Sequence, residues 1–157
     1  MSTSLAVYFS ASGRTKKAAE YLAKATGSDL FEIVPETLYT PADLDWRDKG
    51  SRSTIEMNDP AARPAIASKI EDISKYDTIY LGFPIWWYRE PSIIDTFLES
   101  YDFTGKTIVP FATSGSSGMG DSSKNMQELV PDATVKEGKR FPERVSEEEI
   151  KNWVKTL

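Results

Sequence analysis

An apolar run, a polar turn and the start of a helical pattern follow one another in the stretch LAVYFSASGRT, which runs from Leu5 to Thr15. The apolar part, residues 5–9, contains aromatic and β-branched side chains and is typical of a strand buried on both faces of a parallel sheet. The turn places three hydroxyl groups, a glycine and an arginine at the mouth of a helix. Free N–H groups and the helix dipole can hold a phosphate there, but the same residue types also make an ordinary helix cap. Both interpretations remain open for this turn taken alone.

Length and composition restrict the class of protein. The chain has 157 residues, of which 39% are hydrophobic, and we predict one globular domain over residues 1–157. No apolar run approaches the roughly 20 residues of a membrane span, and the N-terminus lacks a signal-peptide pattern. We therefore expect a cytoplasmic protein with no membrane contact. A net charge of −5 also argues against a nucleic-acid partner, since phosphate neutralisation needs a clustered basic surface.

Cysteine and histidine are both absent from the sequence. Without cysteine there is no thiolate nucleophile, iron–sulfur cluster or Cys-based zinc site, and without histidine the commonest general base is missing. We therefore predict no metal site and no catalytic side chain. Any chemistry is expected to come from a bound organic cofactor.

Strand and helix patterns alternate along the chain. Apolar runs predict strands over residues 5–9, 30–34, 77–82, 106–112 and 133–135. Helical spacing predicts helices that begin near residues 14, 66, 91, 121 and 146, with a short helical piece over 42–48. A capping box of Ser146 and Glu149 opens the last helix, on which Ile150, Trp153, Val154 and Leu157 share one face.

This alternation predicts an α/β fold with a doubly wound, five-stranded parallel sheet of order 2-1-3-4-5 and helices on both faces. Ligands of such sheets bind beyond the carboxyl ends of the strands, beside strand one. The loops 10–15, 84–90 and 113–120 should lie side by side there. The connection 36–64 is unusually long, and its Tyr39 and Trp46 either cover the sheet edge or contact a ligand.

The three loops differ in chemistry in a way that indicates flavin mononucleotide (FMN). The first carries hydroxyls for a phosphate, the second carries aromatics for a flat ring, and the third carries glycines that allow a close backbone approach. Neither the P-loop pattern nor the dinucleotide pattern GxGxxG follows the first strand. Trp86, Trp87 and Tyr88 stand in succession, and three successive side chains cannot all face a core. We expect at least one of them to contact the ligand rather than the core or an interface.

Four segments together resemble the flavodoxins, particularly a branch of short bacterial flavodoxin-like proteins. They are SASGRT at 10–15, EIVPE at 32–36 with Tyr39, GFPIWW at 82–87 and TSGSSG at 113–118. The resemblance implies a flavodoxin-like fold and an FMN site. The implied phosphate contacts are Ser10, Ser12, Gly13, Arg14 and Thr15. The implied ring contacts are Pro84, Ile85, Trp86, Trp87 and Tyr88 on one side and Thr113, Ser114, Gly115, Gly118 and Gly120 at the other edge.

Two departures from the flavodoxin pattern affect the expected chemistry. Arg14 stands where many flavodoxins have Asn, which adds a positive charge near the phosphate. The loop before Pro91 lacks the glycine that many flavodoxins place beside the flavin, where a peptide turns over on reduction. Without glycine a positive φ costs roughly 1–2 kcal/mol. This weakens the case for a stabilised one-electron state and favours two-electron chemistry.

These observations lead to three functional hypotheses. The first is a redox protein that carries electrons through non-covalently bound FMN to a redox partner protein or a small electron acceptor; it is favoured because no side-chain acid or base stands out. The alternative is an FMN-dependent NAD(P)H oxidoreductase of the quinone-reductase type, with Arg89 as a contact of the nicotinamide phosphate. The third is a non-flavin binding or signalling domain, in which residues 10–15 are a plain cap.

Overall fold

The computed structural model describes residues 4–10, 13–45, 47–59, 61–70, 72–86, 89–114, 119–120, 122–142 and 144–157. The strands within these residues are β1 (Ser4–Tyr8), β2 (Asp29–Glu32), β3 (Thr78–Pro84), β4 (Thr107–Ser114), β5 (Thr134–Val135) and β6 (Lys139–Pro142). The helices are α1 (Arg14–Thr26), α2 (Arg52–Met57), α3 (Ser92–Ser100), α4 (Ser122–Leu129) and α5 (Glu147–Val154), with a 3₁₀ turn at Ile73–Lys75. No described helix is long and apolar enough to cross a membrane.

The strands form a parallel sheet in the order β2-β1-β3-β4-β5, which confirms the predicted topology. β1 lies in the middle, and its Leu5 pairs with Asp29 of β2 on one side and Ile79 of β3 on the other. β6 was not predicted. It pairs with the second half of β4, beyond β5, and so continues the same edge of the sheet.

Pro110 lies in β4 at the point where the pairing partner changes from β5 to β6. Residues Thr107 and Ile108 pair with β5, whereas the β6 register begins at Phe111. Proline lacks the N–H that a ladder needs, and the interruption between the two short strands accommodates it. Gly138 approaches Pro110 so closely that a Cβ there would lie 2.3 Å from the carbonyl oxygen of Pro110.

Apolar side chains fill both faces of the sheet, as expected for a doubly wound fold. On the face covered by α3 and α4, buried residues such as Val7 and Leu81 join the helical Phe97. On the face covered by α1 and α5, Tyr8 and Phe111 pack with residues of both helices, including Leu22 and Ile150. Successive residues of β1 thus point to opposite cores.

Local signals placed both ends of α1 and the start of α5 correctly. Gly27 ends α1 in the left-handed conformation, with φ 68°, and its N–H donates to the carbonyl of Ala23. The capping box of Ser146 and Glu149 is present at the start of α5. The prediction that Leu157 shares a helix face with Ile150 is wrong, because α5 ends at Val154 and Leu157 lies beyond it, largely exposed.

The predicted helical piece at 42–48 is wrong. Thr40 and Asp43 exchange side-chain and backbone hydrogen bonds of 2.9 and 3.2 Å, which hold this segment as a turn. Such local side-chain bonds compete with helix formation. The helix of this connection begins later, at α2, where the Ser51 side chain accepts from the Thr54 N–H.

The predicted helix at 66–73 is also wrong. Ile66 forms an antiparallel bridge with Pro35, and the Ala67 N–H donates to the Val34 carbonyl at 2.7 Å. The segment is therefore extended and continues beside the chain that leaves β2. Its Ile70 is still buried in the core, so the apolar spacing is satisfied without a helix.

Candidate functional site

The carboxyl ends of β1, β3 and β4 meet at one edge of the sheet, here called the carboxyl edge. The Phe9 N–H donates to the Gly82 carbonyl at 2.9 Å, and the Ile85 N–H donates to the Thr113 carbonyl at 3.1 Å. These backbone bonds continue the sheet pairing into the loops that follow each strand. The loops after β1, β3 and β4 therefore begin next to one another.

Helix α1 starts at the carboxyl edge without a side-chain cap. Its N-cap is Gly13, which has φ 88° and no capping side chain, and the Ser10 Oγ accepts the Gly13 N–H at 2.9 Å. The first-turn N–H groups of a helix have no partner within the helix and need one from outside. A Cβ at Gly13 would meet no atom of the described residues within 4 Å. Arg14 is exposed beside it.

Thr15 connects the first turn of α1 to the end of β4. Its Oγ1 lies 2.7 Å from the Oγ1 of Thr113, and both residues are buried. Of the implied phosphate contacts, Thr15 therefore turns its hydroxyl toward β4. Its backbone N–H remains in the open first turn of the helix. Ser12 lies outside the described residues.

The loop after β3 forms a closed turn. Trp86 and Arg89 exchange two backbone hydrogen bonds of 3.1 Å across residues 87–88. Trp87 and Tyr88, implied as ring contacts, lie outside the described residues. The ring of Trp86 packs edge-on against Phe9, with centroids 5.7 Å apart, and this half-buried side chain therefore fixes the turn to the core.

The long connection between β2 and β3 folds back onto this turn through Tyr39. The Tyr39 ring packs 5.5 Å from Trp86, and its hydroxyl donates to Glu56 Oε1 at 2.5 Å. The Arg52 guanidinium lies 3.8 Å above the same ring and bonds Glu56 at 3.0 Å. Burial and the Glu56 carboxylate raise the pKa of Tyr39. Trp46, the other aromatic of this connection, lies outside the described residues.

The loop after β4 is joined to β6 by an arginine that sequence reasoning missed. Arg140 donates from Nε to the Ser114 Oγ and from Nη2 to the Ser114 carbonyl, both at 2.9 Å. The segment KRFP carries no apolar run, so no pattern predicted the strand that positions Arg140. Gly120 is described and has φ 55°, whereas Gly115 and Gly118 lie outside the described residues.

A buried acidic pair follows the turn, and sequence reasoning missed it as well. Glu90 is fully buried, and Asp95 of α3 is 5% exposed. The Arg89 guanidinium lies 3.5 Å from Asp95 Oδ2 and donates to Ser92 Oγ and the Met57 carbonyl. Burial raises the pKa of Glu90 to about 9, with the neighbouring Asp95 as the second cause. In the sequence, the available signal was the position of Glu90 between the aromatic loop and the apolar helix α3.

Residues 3–157 match the protein family described as flavodoxin. The chain belongs to the flavodoxin family. This confirms the resemblance seen in the sequence. No curated protein matches the chain.

Solved structures agree with this assignment. A candidate flavoprotein from Bacteroides eggerthii is 49% identical, with a TM-score of 0.92, over 100% of this flavodoxin and 98% of that chain. One from Bacteroides uniformis is 48% identical, with a TM-score of 0.94, over 98% of each chain. A Lactobacillus acidophilus flavoprotein solved in complex with FMN is 23% identical, covers 98% and 99% of the two chains, has a TM-score of 0.70 and shares the fold. The family and this complex agree with the predicted cofactor, FMN.

The described part of the carboxyl edge of this flavodoxin fits a phosphorylated ring compound. The open first turn of α1 offers N–H donors and the positive end of the helix dipole to a phosphate. The turn anchored by Trp86 and the end of β4 lie at the same edge of the sheet. Arg89, expected at a nicotinamide phosphate, directs its guanidinium inward; that contact stays a prediction and requires the side chain to leave Asp95.

Proposed function

We propose that this flavodoxin binds FMN non-covalently at the carboxyl edge and transfers electrons through it. The observation that carries the proposal is the start of α1, where Gly13 leaves the first turn open in a chain of the flavodoxin family. Bound FMN would supply a ring that accepts and donates electrons. A plain cap usually places Ser, Thr, Asp or Asn at the N-cap position, whereas α1 has Gly13 there, and the Gly13 N–H donates to Ser10 Oγ.

The residues divide the binding task between them. The first turn of α1 holds the phosphate with its N–H groups, while Arg14 adds charge. Ile85 and Trp86 border one side of the ring and Thr113 with Ser114 the other. The buried bonds between these loops hold their spacing before the cofactor arrives, which lowers the cost of ordering on binding.

The first experiment is to purify the protein and record its absorbance. We expect a yellow protein that releases one FMN per chain on boiling and rebinds it with quenching of flavin fluorescence. A colourless protein that leaves the fluorescence of added FMN unchanged would contradict the proposal. Riboflavin, which lacks the phosphate, should bind at least tenfold more weakly than FMN, since charge-assisted hydrogen bonds at the helix start are lost.

The glycines at the two ends of α1 give a matched test of the phosphate position. Gly13→Ala and Gly27→Ala both put a Cβ on a residue with positive φ, and both have open space around that Cβ. Each should lower the free energy of unfolding of the apoprotein by about 1–2 kcal/mol. Only Gly13→Ala should weaken FMN binding, by at least tenfold. Equal FMN affinities in the two variants would show that the phosphate does not bind at the start of α1.

The FMN-dependent NAD(P)H oxidoreductase is the second candidate function. The loop before Pro91 lacks the glycine that many flavodoxins place beside the flavin, and this favours two-electron chemistry. Anaerobic mixing with NADPH separates the two roles. Rapid bleaching of the flavin, followed by turnover with a quinone, supports the enzyme. Slow bleaching, together with a long-wavelength band during one-electron reduction, supports the carrier.

A further inference from the structure

Three buried carboxyl oxygens at the start of α3 lack a hydrogen-bond partner among the described residues. They are both oxygens of Glu90 and Oδ1 of Asp95. Buried polar atoms are nearly always paired, and a buried carboxylate without a donor is costly. Arg89 Nη1 lies 3.8 Å from Glu90 Oε1, which is too long for a hydrogen bond. A donor is therefore missing from this group of atoms.

The charges around the pair show what kind of donor fits. Both acids face a cleft of about 330 Å³ between α3 and α4, which is lined by Arg63, Arg89, Glu90, Asp95, Asn125, Glu128 and Leu129. Arg63 forms an ion pair with Glu99, and its charge also acts on Asp95. Arg89 faces both Glu90 and Asp95 with a single charge. Negative charge is in excess, and one proton removes a negative charge and supplies a donor that pairs two of the three oxygens, one of Glu90 and Oδ1 of Asp95.

We propose that Glu90 and Asp95 share one proton, as a carboxylic acid hydrogen-bonded to a carboxylate, and that this pair positions the turn 86–89. Protonated Glu90 donates to Asp95 Oδ1, which gives that oxygen a partner and leaves one negative charge for Arg89. Burial, which raises the pKa of Glu90 to about 9, is consistent with the proton staying on Glu90 at neutral pH.

Arg89 transmits the state of the pair to the turn. Its Nη2 donates to the Met57 carbonyl at 3.4 Å and to Ser92 Oγ at 3.3 Å, which joins the end of α2 to the start of α3. Its backbone closes the turn with Trp86 through two hydrogen bonds. Loss of the shared proton places a second negative charge against Arg89. The guanidinium is then drawn toward Glu90 and away from Met57 and Ser92, and the turn loosens.

The consequence for the cofactor rests on the proposed function. If the turn 86–89 borders the FMN ring, the FMN affinity should be constant between pH 6 and 8. It should fall by about three- to tenfold between pH 8 and 10, as the pair loses its proton. Glu90 and Asp95 are positioning residues in this account and need not touch the flavin.

Glu90→Gln tests the proposal, because an amide imitates the protonated acid in shape and can donate to Asp95. The matched control is Glu128→Gln, which makes the same charge change at an exposed position of the same cleft. In the apoprotein, the infrared band of a protonated carboxyl group should be present at pH 7 in the wild type and in Glu128→Gln, and absent in Glu90→Gln. The FMN affinity of Glu90→Gln should lose the fall above pH 8, whereas the control should keep it.

The outcomes separate this inference from the proposed function. Absence of the protonated carboxyl band from the wild type, or an unchanged pH profile of FMN affinity in Glu90→Gln, would overturn the inference while FMN binding stands. Failure of every variant to bind FMN would instead contradict the proposed function. In that case the infrared band of the apoprotein, together with the pH dependence of its urea midpoint, still decides whether the pair holds a proton.

Discussion

The start of α1 and the turn 86–89 lie at the same edge of the sheet but are built in different ways. The first is made mostly by consecutive residues and presents backbone N–H groups that do not titrate. The second is held by side chains from the long connection, the loop itself and α3, and a buried acid pair follows it. One region is thus shaped mainly by local backbone geometry, and the other depends on long-range contacts and lies beside buried charges.

The strongest test of this difference is to remove Asp95, the anion that faces Arg89. Asp95→Ala should lower the free energy of unfolding by about 3 kcal/mol, because the partly buried guanidinium of Arg89 loses its closest carboxylate. Glu90 lies farther from Arg89 and replaces Asp95 only in part. Urea denaturation at pH 7 measures the change.

Glu99→Ala on the same helix is the matched control. Glu99 pairs with Arg63 at a half-exposed position, and removal of such a pair should cost less than about 1 kcal/mol. If Asp95→Ala and Glu99→Ala lower the free energy of unfolding by the same amount, the buried ion pair beside the turn 86–89 contributes no more to stability than an exposed ion pair does.

The hydrogen bond between the Thr15 and Thr113 hydroxyls joins the start of α1 to β4, which is distant in the chain. Its contribution to stability measures how far the start of α1 depends on a long-range contact. Thr15→Val and Thr113→Val should each cost about 1–2 kcal/mol, since each leaves a buried hydroxyl without its partner. The double variant should cost clearly less than the sum of the two, because both polar groups are then gone. Urea denaturation of the wild type and the three variants gives the coupling free energy between the two hydroxyl groups.

Additive losses in this cycle would contradict a direct bond between the two hydroxyls. The FMN affinity of the same variants is a second measurement. If Thr15 contributes only its N–H to the phosphate, Thr15→Val should bind FMN within about threefold of the wild type. A much larger loss would place the hydroxyl itself on the phosphate.

The smallest expected effect concerns Tyr39, which joins the long connection to the turn. Tyr39→Phe should cost about 1 kcal/mol, since one hydrogen bond is lost while Glu56 keeps its bond to Arg52. FMN affinity should fall two- to threefold as the packing around Trp86 loosens. Tyr76→Phe removes a similar bond, to Asp29, away from the carboxyl edge, and it should leave FMN affinity unchanged.

Local signals explain most of what the sequence predicted correctly. The glycines at the ends of α1, the capping box of α5 and the apolar run of β1 each lie within a few residues of the structure that they specify. The sheet order followed from these elements, because right-handed crossovers leave few alternatives. The approximate location of the candidate site followed from the sheet order.

The features that were missed depend on residues far apart in the chain. Ile66 is extended because it pairs with Pro35, although its spacing to Ile70 is helical. β6 lacks an apolar run and forms because it pairs with β4. No sequence pattern therefore predicted that Arg140 lies beside Ser114. Glu90 became notable only when folding enclosed it beside Asp95. Periodicity within one segment contains no information about such partners.

The change of partner along β4 also bears on self-association. The outer edge at this side of the sheet consists of β5 and β6, each only a few residues long and interrupted at Gly138. A long, flat and unpaired strand is the usual template for strand addition between molecules. Here a second chain would meet two short strands, β5 and β6, with a break between them opposite Pro110. The change of partner at this proline therefore leaves no long, continuous edge strand on this side of the described sheet.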